Sequence, residues 1–311
     1  MAPNTLVSVS DGNRFTVSDL VKNPLFIPTK LKELMENQFI SEALFRNGGK
    51  NEAGIVAYRE GDPMFLDADV QDVAEFGEIP VSSGQLGTPR VAFATKKALG
   101  VRISQEMKDE NNIDAVNKQL NGLKNTFIRA NDRAAKALLQ SAAVPTMAVS
   151  AAWDNASGKP RTDIAKGIEK ITTAAPANAT ADESWAFEPD TMVVHPGLLS
   201  ILMDNDQILK VYNGNVANES IAYTGVIPGE LMGLTVIKSR TFPIDRVFLC
   251  ERSTIGFYSD TRSLTFTGLY PEGNGPMGGP RETWRSDASQ KRALGLDQPK
   301  AGLWLTGVTT P

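Results

Sequence analysis

The chain holds one histidine and one cysteine, His195 and Cys250, and that pair bounds what chemistry it can do. A Cys/His zinc cluster needs about four such ligands, so none can be built. A lone cysteine has no internal disulfide partner. Any Ser/His/Asp machinery has to use His195. That residue stands between the apolar run Thr191–Val194 and Pro196, a strand-to-helix step where a polar side chain commonly ties down backbone. No G-x-S-x-G elbow accompanies it. Gly273-Asn274-Gly275-Pro276-Met277-Gly278 has the spacing of a dinucleotide fingerprint. That chemistry requires a helix to open after the turn so that its amides face the pyrophosphate. Pro276 and Gly279-Pro280 forbid one, so the stretch reads as a surface turn. Asp67, Asp69 and Asp72 offer oxygen ligands for calcium, but the glycine and closing glutamate of a calcium loop are missing. They read instead as a solvated or partner-facing acidic segment. No catalytic, cofactor-binding or metal-ligating residue is nominated, and no enzyme activity or cofactor is expected.

Composition narrows the class further. A chain of 311 residues can bury a sizeable core, and 41% apolar residues suits a folded one. No run reaches the roughly 18 to 20 apolar residues of a membrane span, so no membrane partner is expected. Lysine and arginine number 32 against 36 acids, for a net charge of −4. With its bases dispersed along the chain, this balance argues against a dedicated nucleic-acid coat.

The elements that must position these residues form an unusual series. After an arm broken by Pro24 and Pro28, Thr29 is placed to cap a helix running to about Arg46, stopped by Asn47-Gly48-Gly49. Ile55–Tyr58, Met64–Leu66, Glu78–Val81, Pro89–Thr95 and Leu99–Ser104 read as β pieces of one long hairpin around a Ser/Gly turn at 82–89. From Glu60 to Glu78 its first limb carries Glu60, Asp62, Asp67, Asp69, Asp72, Glu75 and Glu78 and no base. Its second carries Arg90, Lys96, Lys97 and Arg102. Only Phe65, Phe76 and Phe93 could give it a core, so it should rest on another surface. Ile113, Val116, Leu120, Leu123, Phe127, Ala130, Ala134 and Leu138 predict a helix over about Asn112–Ala143, a beam of roughly 45–50 Å. A loop at Thr146–Arg161, a helix at about Asp163–Ala174 and a mixed α/β run follow. Arm and hairpin lack partners within one subunit, a pattern that implies a lattice of repeated interfaces.

In its order of elements the sequence resembles the major capsid protein of tailed bacteriophages, the fold called HK97-like. The phrases that carry the resemblance are Glu78-Ile79-Pro80 before the hairpin tip, Ile103–Met107 before the long helix, Val193-Val194-His195-Pro196, Gly233–Ser239, Trp284-Arg285, Asp297–Ala301 and Leu305–Val308. The resemblance implies an α+β fold in five parts: an N-terminal arm and helix over 1–52, an extended loop (E-loop) over 53–104, a peripheral domain with a spine helix over 105–161, an axial domain over 162–266, and a return to the peripheral domain over 267–311. It implies pentamers and hexamers closing an icosahedral shell around double-stranded DNA, assembled in the host cytoplasm and ending in the virion, with a portal as partner. The first predicted helix opens at Thr29, so any scaffolding protein is expected to be a separate chain. The tip Val81–Pro89 has no lysine, so no covalent cross-link from it is expected. DNA is expected to be contacted weakly and held by confinement. Arg90, Lys96, Lys97, Glu75 and Glu78 are the candidate inter-subunit contacts. Two alternatives stand beside this reading: a bacterial nanocompartment shell enclosing a cargo enzyme, and a soluble α+β hydrolase using His195.

Overall fold

The computed structural model describes residues 29, 31, 35, 38–84, 86–176, 183–205, 208, 230–275 and 278–310. The expectations for the arm up to Pro28 lie outside these residues. Thr29, Leu31 and Met35 are helical, so Thr29 lies within the helix and does not cap it from outside. The predicted continuation to Arg46 is interrupted. Gln38 and Phe39 leave the helix, α1 (Ile40–Leu44) resumes it, and Arg46–Lys50 extends as strand β1. The Asn-Gly-Gly stretch that reads as a helix stop is therefore a strand, paired in parallel with β10 (Phe257–Phe266).

Two sheets carry the molecule. In the first, β12 (Thr283–Gly295) is central. Along one edge lie β10 and then β11 (Tyr270–Pro271), and along the other runs β4 (Thr95–Ser104), antiparallel over ten residue pairs from Thr283↔Ser104 to Arg292↔Thr95. The second sheet has the order β5 (Thr146–Ala148), β13 (Gly302–Thr306), β9 (Arg246–Cys250), β6 (Thr191–Val194), β8 (Leu234–Lys238), β7 (Glu230–Leu231). Burial on both faces explains the continuous apolar runs of β6, β9 and β13. Part of the stretch expected to be a loop at Thr146–Arg161 is strand β5, too short and exposed to leave an apolar signal. Helix α4 (Pro160–Thr172), with Pro160 in its first turn, packs on this sheet. A Cβ at Gly167 would sit 2.7 Å from Leu249, so the close approach needs the glycine.

Between the sheets lies the spine, α3 (Ile113–Leu139). Asn112 caps it by accepting the Ala115 N–H at 3.1 Å. It is shorter than predicted, about 40 Å at 1.5 Å per residue. Its first turns pack with Ile103, Leu269 and Trp284 of the first sheet's core. Its last turn, Ala135 and Leu139, enters the second sheet's core, where Trp304 Nε1 donates to the Leu139 carbonyl at 2.8 Å. The predicted stripe holds as far as Phe127 and then shifts by one position. Asn131, Ala135 and Leu139 are buried, while Ala130, Ala134 and Leu138 are not. Burial of Asn131 is compensated by its donation to the Phe127 carbonyl at 3.2 Å.

The hairpin also differs from expectation. Only β2 (Ile55–Glu60) and β3 (Thr88–Phe93) pair, over six residue pairs. Met64–Leu66 and Glu78–Val81 form no ladder, and the second limb does not continue as one arm of the hairpin, because β4 joins β12. The reason lies in the backbone. Gly61 at φ 70° and Phe76 at φ 66° turn the chain where a strand would have to run straight.

Candidate functional site

The excursion over residues 61–87 is held at its neck and bare beyond it. At the neck, the Gly61 N–H donates to the Asp297 carbonyl at 2.8 Å and Trp185 Nε1 to the Asp62 carbonyl at 3.1 Å. The Gly87 N–H donates to Asp62 Oδ1 at 2.6 Å. A Cβ on Gly87 would stand 2.4 Å from the Glu60 carbonyl oxygen, so glycine is what lets the two limbs close. Tyr58 stacks edge-on against Phe257 at 5.1 Å and anchors the ribbon to the first sheet. Beyond the neck, the Asp67 N–H bonds the Ser83 carbonyl and the Ala68 N–H bonds Ser82 Oγ, and among the described residues little else holds the chain. Val70, Phe76 and Val81 are 96%, 99% and 97% exposed, with Ile79, Leu66 and Phe65 also open. The phenylalanines considered as a possible core, Phe65, Phe76 and Phe93, all face outward. So many bare large apolar side chains in one segment mark a surface that another surface covers.

The five candidate contact residues divide in two. Arg90 Nε donates to Glu60 Oε2 at 2.6 Å inside the ribbon. Lys97 Nζ donates to the Ala130 carbonyl at 2.9 Å and to Asn131 Oδ1 at 3.2 Å, so it fastens β4 to the spine. Partial burial, reinforced by the Arg292 charge, lowers the Lys97 pKa. Lys96, Glu75 and Glu78 point outward, without a partner among the described residues. Arg102 makes a bidentate pair with Glu272 at 2.7 and 2.6 Å, and its guanidinium is the main cause of the drop in the Glu272 pKa to about 2.

Sequence reasoning missed the cation that locks the molecule. Arg292, 7% exposed, donates to both oxygens of Asp260 at 2.7 and 2.9 Å, to Glu42 Oε1 at 2.8 Å and to Ser41 Oγ at 3.1 Å. Its guanidinium also lies over Tyr258 at 4.4 Å. It thus ties α1 to β10 and β12. The available signal was the alternation of polar and apolar residues through β12, which puts Arg292 on the core side.

The remaining candidates have structural roles. His195 Nδ1 accepts the Gly197 N–H at 3.0 Å and shapes the turn into α5 (Leu198–Asp204). Cys250 is fully buried, which raises its thiol pKa. The glycines at 273–279 make the β11-to-β12 connection, where Gly278 at φ 90° lies against the Thr283 backbone. Among the described residues, no group of three or more His, Cys, Asp or Glu side chains gathers as a metal site, and no helix is long and apolar enough to cross a membrane.

The sequence profile of a family described as phage capsid protein matches residues 87–296, more than half of the chain. The chain belongs to that family. Solved structures give this capsid protein its fold relatives. A phage-related protein from Bordetella bronchiseptica superposes with a TM-score of 0.59 at 13% identity, covering 96% of this chain and 99% of the other. The mature capsid of bacteriophage PhiM1 gives 0.58 at 12% identity, with 88% of each chain covered. A virus-like particle from Pyrococcus furiosus gives 0.56 at 12% identity over 92% of this chain and all of the other. No curated protein sequence matches. At such identities the likeness speaks to fold, and the fold is the α+β, HK97-like capsid fold. This capsid protein is a structural component of a virion shell.

Proposed function

We propose that this protein is the major capsid subunit of a tailed phage, closing pentamers and hexamers into an icosahedral shell around double-stranded DNA. Assembly takes place in the host cytoplasm with a separate scaffolding chain and a portal. One observation carries the reading: the excursion over 61–87 exposes Val70, Phe76, Ile79 and Val81, with nothing among the described residues to cover them. A neighbouring copy supplies the covering surface. In this reading Lys96, Glu75 and Glu78 meet opposite charges across that contact, while Arg90 and Lys97 keep the ribbon and β4 in position from within. Each exposed pair contributes about 0–1 kcal/mol, which a lattice repeats at every subunit. The chain falls into an arm, an E-loop, and peripheral and axial regions built around the two sheets.

The test is the native particle. Light scattering and electron microscopy of the full chain, with its scaffold present, are expected to give closed shells in the megadalton range. Folded monomers or dimers alone would end the proposal. Shells enclosing a cargo protein and no nucleic acid would favour a nanocompartment. Lys96→Glu is expected to leave folding intact and reduce shell yield. Normal yield would remove Lys96 from the contact.

A further inference from the structure

Five cations separated in the sequence meet around one groove. Arg129, Arg133 and Lys136 stand four and three residues apart on α3 and so share one side of the helix. The end of β8 and the turn after it bring Lys238 and Arg240 to the opposite wall. The groove between them encloses about 770 Å³. Among the described residues its one lining acid is Asp132, whose carboxylate accepts the Ile40 N–H at 3.1 Å. Among the described residues none of the five cations has an ion-pair partner, whereas Arg46, Arg102, Arg252 and Arg292 each have one.

We propose that this groove binds the phosphate backbone of a duplex nucleic acid, an inference that rests on reading the chain as a shell around a genome. The run from Arg129 to Lys136 spans about 10 Å. That matches roughly four successive phosphates of one strand, three steps of about 3.4 Å along the duplex axis. Three of the five cations are arginines, whose planar fork grips phosphate oxygens in pairs. An acidic amphipathic peptide fits less well. The groove's apolar floor, Phe39 and Ile40, is only 3% and 6% exposed and offers little bare surface to cover. A net charge of −4 conceals this site, because seven of the acids lie together between Glu60 and Glu78, on the hairpin. Confinement is then supplemented by a small, repeated and salt-labile set of phosphate contacts.

The experiment measures binding of the wild-type full chain to a random-sequence 30-base-pair duplex as salt is raised. Two variants carry the same change of charge: Arg129→Gln/Arg133→Gln/Lys136→Gln in the groove, and Lys118→Gln/Arg161→Gln/Lys166→Gln on exposed helix surfaces elsewhere. With five contacts, wild-type affinity is expected to fall about 500-fold between 50 and 200 mM salt, and that of the groove variant only about 10-fold. The groove variant also starts weaker at 50 mM, while the control follows wild type. Arg129→Lys/Arg133→Lys keeps the charge and is expected to keep the salt slope, which guards against loss by misfolding. Equal effects of groove and control variants would overturn the proposal. So would wild-type binding to polyglutamate with none to the duplex, which would assign the groove to an acidic protein. Light scattering run in parallel separates the two readings, since duplex binding by a chain that never closes shells would sink the shell reading alone.

Discussion

Phe76→Ser removes a ring that is 99% exposed and touches almost nothing in its own subunit. Fully burying such a side chain at a contact is worth about 1.5–3 kcal/mol. If a neighbour covers it, the substitution weakens each subunit contact by that amount. The free subunit concentration at which shells begin to form then rises about 10- to 150-fold, at about 1.4 kcal/mol per factor of ten. Folding of the subunit should barely change, since an exposed substitution usually moves stability by less than about 0.5 kcal/mol. Serine also inherits no new strain, because Phe76 already occupies φ 66°. The assay pairs a concentration series followed by light scattering with thermal unfolding of the unassembled subunit. An unchanged assembly threshold with an unchanged melting temperature would refute the covering argument. A lowered melting temperature would show that Phe76 packs within its own subunit.

Arg292→Leu leaves Asp260 and Glu42 facing each other without their cation, so urea unfolding should show a loss of about 3–5 kcal/mol, and a loss below about 1 would contradict the tie. Gly87→Ala forces a Cβ against the Glu60 carbonyl, and limited proteolysis should then cut faster within 61–87 than in wild type. Glu272 has a folded pKa depressed to about 2. Its stabilising pair with Arg102 is therefore complete above the ordinary carboxylate value and is lost as pH falls through about 2. In Arg102→Ala its carboxyl resonance should titrate closer to 4.5, and a midpoint still near 2 would deny the guanidinium its role.

What could be read from the sequence followed periodicity. Thr191–Val194, Leu234–Lys238 and Arg246–Cys250 appear as strands at the expected places because apolar runs of that length have few alternatives. The spine was legible as far as Phe127, then lost its phase, because a buried Asn131 reads as surface when its partners are invisible. β1 was hidden by glycines that ordinarily end helices, and β5 by its brevity. The hairpin was overextended, since β propensity in Met64–Leu66 and Glu78–Val81 says nothing of whether a partner strand lies in register. Of the candidate contacts, the spacing could not reveal that Arg90 and Lys97 find partners inside the subunit. The convergence of Arg129 and Arg133 with Lys238 and Arg240 spans more than a hundred residues and leaves no local pattern.

The position of β13 governs the order of events during synthesis. When the ribosome has passed residue 295, every strand of the first sheet exists. The second sheet still has a gap, because residues 302–306 alone join β5 to β9. Trp304 from that strand also caps the far end of the spine through Leu139. Both sheets thus close late: β12 pairs with β4, made more than 170 residues earlier, and β13 with β5, made more than 150 residues earlier. Such distant pairing makes closure slow. A chain truncated before Gly302 would keep its projecting ribbon and lack a completed core beneath it, a species prone to joining its neighbours wrongly.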